Sequence, residues 1–477
     1  MRELRRFATI PAYWLEMSQM RVAEAARHIG KLEEAMDPSN AYDAGCLACL
    51  KMWSFAASAD SAAALRAGHD AVCLFDRAGS AWHRLLARGM LAWAYRENND
   101  PQNAMLWCKE GRDLSKQLNI GVFDVQFDQI EASFRTERGE DVRPFLSRMF
   151  SDTSVYGTGL PLRFFPTLAP RLCALALKFN IEVSYVNALI RTWNWRPDDS
   201  TTETWPWPVR IYMLGRFELF VEGQRVTFGA KAPRKVLALL KALICLGATD
   251  VRDRRLINAL WSDDEQDTAK AAFDVTLHRL RRLLAHPEAI QVQEGALRLN
   301  PEVCWVDTVA LDQLLERPRD RSNTQAVLSL YKGNLLPGDD DEPWSSSLRE
   351  RLRRKFVHHA ELVGNELEAL QEWQLAIEHY QRGLDADNMI EAFYCGLMRC
   401  YSALQRPSEA ISMYRRMQRL LSVTLGLQPS ASSEALYRSL LTMNHGMPPE
   451  SDESILRVTP PLHEAHVIAN RRFKKQA

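Results

Sequence analysis

The sequence predicts a mainly α-helical fold, with repeated helix pairs at both ends of the chain flanking a small α/β domain. Three observations carry this expectation. Two stretches near opposite ends share one spacing of aromatic, proline and alanine residues. A single β-rich segment stands in the middle, and three helices and a hairpin follow it in order. With 477 residues the chain exceeds one ordinary core, and a soft expectation is about three domains.

The first 160 residues read as helices with short breaks, a helical-repeat arm. Its clearest pair, "WHRLLARGMLAWAYRENNDPQNAMLWCKEGRDLSKQL", is hinged at Asn98-Asn99-Asp100-Pro101. The same grammar returns in "IEAFYCGLMRCYSALQRPSEAISMYRRMQRLL". Tyr95 and Tyr401 each precede a proline (Pro101, Pro407) by six residues, and Ala104 and Ala410 each follow it by three. Ala376 and Tyr380 lie 34 residues before Ala410 and Tyr414. A small residue at a helix crossing, an aromatic one turn later and a period of 34 are the tetratricopeptide signature.

Residues 161–204 read as a helical connector and a linker, "RPDDSTTETWPWP" being polar and then broken by proline. From 205 to 303 the grammar changes. "VRIYMLGRFELFVEGQRVTFG" alternates through Phe217, Leu219 and Val221 to a Glu222-Gly223 turn. "APRKVLALLKALICLG" is a helix with Val236, Leu239, Leu240 and Leu243 on one face and Gly247 as its stop, and "VRDRRLINALW" is a shorter second helix. An acidic loop, "SDDEQD", leads into "AAFDVTLHRLRRLL". "AIQVQEGALRLN" then reads as a hairpin turning at Glu294-Gly295. In the third helix Phe273, Leu277, Leu280 and Leu284 share one side. Ala271, Val275, His278, Arg279 and Arg282 lie opposite, and Lys270, Asp274 and Arg281 on a flank. A short helix, a loop, a third helix with one apolar face and a hairpin make a helix-turn-helix with a wing, whose third helix enters the major groove.

Charge supports that reading locally, not globally. Lys+Arg and Asp+Glu both total 60 in the whole chain. Residues 209–300 carry 15 Lys/Arg against 11 Asp/Glu, and four of those acids (Asp263, Asp264, Glu265, Asp267) sit in one loop. Double-stranded DNA is therefore the expected partner. No run approaches the ~18 uninterrupted apolar residues of a membrane span, and the N-terminus has no signal-peptide core. No membrane partner and a cytoplasmic location are expected. The nine cysteines are scattered, and the Cys46/Cys49 pair lies in a helix-like run without companions, so buried thiols are expected.

These residues resemble known families. "IYMLGRFELFVEGQRVTFGAKAPRKVLALLKALI … LINALW … AFDVTLHRLRRLL" resembles the winged helix of the OmpR class of response regulators. "VDTVALDQLLE", "LYKGNLLPGDDDEPWSSSLRERLRRKF" and "AISMYRRMQRLLSVTLGLQPSASSEALYRSLL" are similar to the bacterial transcriptional activator domain, which adjoins such a winged helix in antibiotic-regulatory-protein (SARP) activators. The two matches span roughly 205–443, with 304–443 as the activator domain and 444–477 as a polar tail. The arm is similar to that of MalT-like regulators. The resemblance implies a sequence-specific DNA-binding transcription regulator, an activator contacting RNA polymerase.

It also implies residue roles. Val275 and Arg279 fall where base edges are touched, with His278 and Arg282 beside them; Arg can bond guanine O6 and N7 together and Val can pack on a thymine methyl. Thr276 and Arg281 suit phosphates, which position without reading sequence. Arg298 on the wing fits the minor groove or backbone, and fits a solvated hairpin position as well. Arg234 and Lys235 open the first helix, where phosphate contact or plain exposure both fit. The loop holding Asp263, Asp264, Glu265 and Asp267 is the polymerase-contacting one in the resembled class.

No catalytic constellation, cofactor or metal site is expected. Gly30-Lys31 lacks the rest of a phosphate-binding loop, and "HEAH" (463–466) is one residue short of the zinc motif. "GDDDEPW" reads as a cap for the following helix, and His358-His359 as packing or solvated. Trp53, Trp82, Trp93 and Trp107 read as core or as the lining of a ligand groove. A protein or small-molecule signal at the arm and a homo-oligomer on DNA are compatible partners. The alternative is a non-catalytic scaffold that uses its winged helix and repeats for protein–protein contact.

Overall fold

The computed structural model describes residues 2–18, 21–155, 165, 167–228, 233–262, 266–339 and 341–444. It is mainly α, with helical repeats at both ends of the chain flanking a winged-helix region. The chain forms two compact units: residues 1–316 with 335–348, and 317–334 with 349–477.

In the first unit the arm is a succession of helices, among them Ala41–Ala57, Ser61–Ala78, Ala81–Glu97 and Pro101–Leu118. Short polar side chains cap three of these: Asn40 accepts from the Tyr42 and Asp43 amides, Asp60 from Ala63 and Asp100 from Asn103. Pro101 takes the first helical position, where no amide hydrogen is needed. Small residues let the helices close: a Cβ on Gly111 would lie 2.1 Å from the Phe127 ring. Trp53 and Trp93 are buried core, Trp93 stacked on Phe165 at 5.7 Å. Trp82 is 46% exposed and lies edge-on against Phe123. Asp128, fully buried, is held by Arg112 at 2.8 Å and Arg148 at 2.7 Å, the pairing a buried carboxylate requires.

The stretch expected to be a linker is packed. Trp205 and Trp207 are both 4% exposed, and the Trp207 indole donates to the Thr202 carbonyl at 2.8 Å. Proline and polar residues mark a linker by composition, which does not show that its two tryptophans are buried.

The sheet that follows has four strands in the order β3 (Gln224–Arg225), β2 (Glu218–Val221), β1 (Val209–Tyr212), β7 (Cys304–Val306). β1 pairs antiparallel with β2, which pairs with β3 through the Glu222-Gly223 turn, both residues at positive φ. Helix α1 (Arg234–Cys245) buries Val236, Leu239, Leu240 and Leu243. "VRDRRLINALW" divides into a short strand β4 (Val251–Arg252) and helix α2 (Asp253–Leu260). Helix α3 (Gln266–Leu284) buries Phe273, Leu277, Leu280 and Leu284. β5 (Ile290–Gln293) and β6 (Ala296–Leu299) form the wing, and β4 joins β6 as a third strand. β7 (Cys304–Val306) runs parallel to β1, so the boundary expected between residues 303 and 304 falls inside the sheet. The Asp307 carboxylate accepts from the Met213 and Leu214 amides at 2.7 and 2.8 Å, tying the end of β1 to the helix that opens there. Asp339, first of the acidic run, pairs with Lys241 of α1 at 2.6 Å.

The second unit contains Arg321–Leu330, most of Pro343–Ala369, and Trp373–Ala386, Glu391–Ala403, Pro407–Leu425 and Ala431–Asn444. The repeat residues Ala376, Tyr380, Ala410 and Tyr414 are all in its core. Tyr380 is wedged between two glycines: a Cβ on Gly364 would meet its ring at 2.3 Å and one on Gly396 at 2.4 Å. Gly396→Ala should therefore destabilise this unit by about 1–3 kcal/mol through overpacking, read as a lower urea midpoint with unchanged slope. His359 is buried and His358 exposed, which divides the pair between packing and solvent. No helix among the described residues is long and apolar enough to cross a membrane. "HEAH" and the tail beyond residue 444 lie outside the described residues.

Candidate nucleic-acid interface

The outward side of α3 carries Val275, 51% exposed, with His278, Arg279 and Arg282, all exposed. Its inward side is fixed by the four apolar residues named above, so the helix cannot rotate to hide these groups without exposing Phe273 and Leu280. α1 packs across it. The two helices bound a groove of about 680 Å³, lined by Arg234 and Lys235 at the start of α1 and by Thr276, Arg279 and Arg282 of α3. Pro233 precedes α1 without a side-chain cap, so the unpaired amides of the first turn add a positive dipole end to the cations.

Among the described residues, none of Arg234, Arg279, Arg282 or Arg298 takes part in an ion pair. The acids nearby are occupied: Lys270 binds Asp253 at 3.0 Å and Asp274 at 3.1 Å. That pairing holds the Asp253 carboxyl below its usual range against the opposing effect of burial. The surface offered by α3 is thus cationic although the domain contains many acids.

Three expected contacts are placed differently. Thr276 is buried, and its Oγ1 donates to the Ala272 carbonyl at 2.7 Å, so it forms groove floor and does not reach outward. Arg281 donates to the Ile290 carbonyl at 3.3 Å, anchoring α3 to the wing. The Lys235 ammonium donates to the Leu260 carbonyl at 2.5 Å and sits 5.2 Å from the Trp261 ring centre, closing the C-terminus of α2. In each case a backbone carbonyl captures the polar group: for Thr276 the one four residues earlier in its own helix, for Arg281 and Lys235 one on a neighbouring element.

The wing presents Arg298 opposite Gln291, with Val292 47% exposed on the adjoining strand. Val292 was not singled out from the sequence; an apolar residue in a strand reads as core unless the partner face is known. Asp263, Asp264 and Glu265 lie outside the described residues, and Asp267, in the first turn of α3, is exposed. Asp307 stands in the motif "VDTVALDQLLE" with no role assigned to it there; a lone acid following the apolar strand "CWV" is the signal in the sequence for such a buried acceptor.

The chain is 25% identical over 266 residues to the regulatory protein AfsR of Streptomyces griseus, a match covering 51% of this chain and 26% of that protein. The chain therefore spans about a quarter of the length of that curated relative. A solved structure of Mycobacterium tuberculosis EmbR in complex with a low-affinity phosphopeptide is 22% identical, with a TM-score of 0.38, and the alignment covers 50% of this chain and 66% of that one. Residues 310–441 match the family of the bacterial transcriptional activator domain, a segment that begins within the helix opened by Asp307 and ends in the last described helix.

Proposed function

We propose that this protein is a sequence-specific DNA-binding transcription regulator, an activator that contacts RNA polymerase. The observation that carries the reading is the groove where the uncapped start of α1 meets Arg279 and Arg282 of α3. Phosphates seat on Arg234 and the α1 amides and set the register. Val275, His278 and Arg279 then face base edges in the major groove, and Arg298 follows the backbone beside the wing. The match to the activator domain over residues 310–441 supports transcription as the setting. The roles of the arm in regulation and of a homo-oligomer on DNA belong to the same proposal.

Selection of bound fragments from random double-stranded DNA with the full chain tests it. Enrichment of one motif is expected; recovery of unselected sequence only, with binding lost at moderate salt, would leave the winged helix as a protein-contact module.

Activation is assigned to the loop before α3. Its acids would repel phosphate, which suits them to contact with bound polymerase and not with DNA. Replacing Asp263, Asp264 and Glu265 with Ala should leave DNA affinity unchanged or slightly tighter while transcription falls. Binding and transcription measured side by side decide it: full activation at normal occupancy removes the loop from the mechanism. Joint loss of thermal stability and affinity would instead assign the acids to the α3 dipole.

A further inference from the structure

The arm contains a concavity unrelated to the cationic groove. Four helices contribute to it: Trp14 comes from Arg2–Ser18, Tyr42 from Ala41–Ala57, Phe75 from Ser61–Ala78 and His83 from Ala81–Glu97. Its volume is about 680 Å³, within the ~300–1,000 Å³ of small-molecule sites. Cys49 and Leu50 supply apolar, buried wall. The rings are arranged around one another: Tyr42 meets His83 edge-on at 4.8 Å between centroids, and Phe75 lies 4.9 Å from His83. Gly45 makes room for this, since a Cβ there would lie 2.9 Å from the Phe75 ring.

One edge of the wall is polar. The Tyr42 hydroxyl lies 3.2 Å from His83 Nε2, and Ser80 Oγ lies 2.8 Å from His83 Nδ1. A serine, an imidazole and a phenol in series hold the Tyr42 ring in place. Among the described residues, none that lines the concavity carries a formal charge once the imidazole is neutral, and burial lowers the His83 pKa and so favours the neutral form.

We propose that this concavity is a binding site for a neutral, aromatic small molecule bearing one hydroxyl or carbonyl group. Flat rings pack against Trp14 and Phe75, and the polar group meets the Tyr42–His83 edge. Burying an ion against this wall costs its hydration with no countercharge among the described lining residues, which favours a neutral molecule. The enclosure by four helices suits a compact molecule and not an extended peptide. The site does not depend on the DNA-binding reading, and its test needs no DNA.

The probe is 2-naphthol, titrated into the full-length protein. Saturable binding at one site is expected, weakened at least tenfold in Cys46→Trp, which fills the concavity from its wall. In the unmodified protein 2-naphthol should slow alkylation of Cys46, which lines the site, without slowing that of the exposed Cys73. Tyr42→Phe should remove the preference for 2-naphthol over naphthalene. Absence of saturable binding, equal binding by a folded Cys46→Trp, or equal protection of both cysteines would overturn the site. If Cys46→Trp fails to fold, judged by circular dichroism, the alkylation result in the unmodified protein decides. An unchanged preference in Tyr42→Phe would overturn the hydrogen-bonding part.

Discussion

Arg279→Ala should weaken binding to the selected DNA motif by about 1–3 kcal/mol and relax specificity at one base pair. The side chain is exposed on the outward face of α3, has no ion-pair partner among the described residues, and lines the groove shared with α1. Losing it removes a contact from the complex while leaving the folded protein intact, so thermal stability should not move. Arg234→Ala provides the contrast. Its place at the uncapped start of α1 suits a phosphate; removing it should weaken binding to matched and mismatched DNA alike and reduce the salt dependence by about one counterion. Electrophoretic mobility or fluorescence anisotropy at several salt concentrations separates the two. Equal losses on matched and mismatched DNA for Arg279→Ala would remove it from base recognition.

Asp307→Ala should unfold or loosen the winged-helix region. One carboxylate oxygen accepts two buried amides, Met213 at 2.7 Å and Leu214 at 2.8 Å, at the junction of β1, β7 and the following helix. Removing the acceptor strands both donors, at about 1–3 kcal/mol for each unsatisfied group. The substitution should abolish DNA binding through loss of fold, visible as lost thermal cooperativity. Asp307→Asn keeps an acceptor and should fold.

The same residue has a pH signature. Burial pushes its carboxyl up to about 7 from an ordinary 3.8, against the opposing pull of the amides. The unfolded chain then releases this proton at a lower pH than the folded protein does. Stability owed to this group is therefore greatest below about pH 4, falls as pH rises towards 7, and is flat above it. The stability difference between the unmodified protein and Asp307→Asn, followed by denaturant unfolding from pH 4 to 8, should show that fall. A difference independent of pH would mean that the carboxyl titrates normally.

Much of the architecture was legible in the sequence because it rests on local rules. The 34-residue spacing that links Ala376 and Tyr380 to Ala410 and Tyr414 placed four residues that all proved to be core. The apolar series in α3 fixed which side faces inward, and with it the exposure of Val275, His278, Arg279 and Arg282. Both hairpin turns announced themselves, since Glu-Gly at a two-residue turn supplies the positive φ that the geometry demands.

What the sequence could not supply were contacts between segments distant in the chain. The parallel pairing of β7 with β1 joins residues 304–306 to 209–211, and no periodicity predicts a parallel partner nearly a hundred residues away. Arg281 and Lys235 read as DNA contacts because their side chains are polar and well placed; in the fold each meets a backbone carbonyl of a neighbouring element first. The aromatic concavity of the arm likewise needs four helices to exist. The sequence by itself determined the helices, their buried faces and the outward cations of α3, because side-chain periodicity is a property of a single element. The tertiary structure alone decided which cations share a groove, which cations are spent on the backbone of a neighbouring element, and where a cavity remains, because each of these depends on distances between elements.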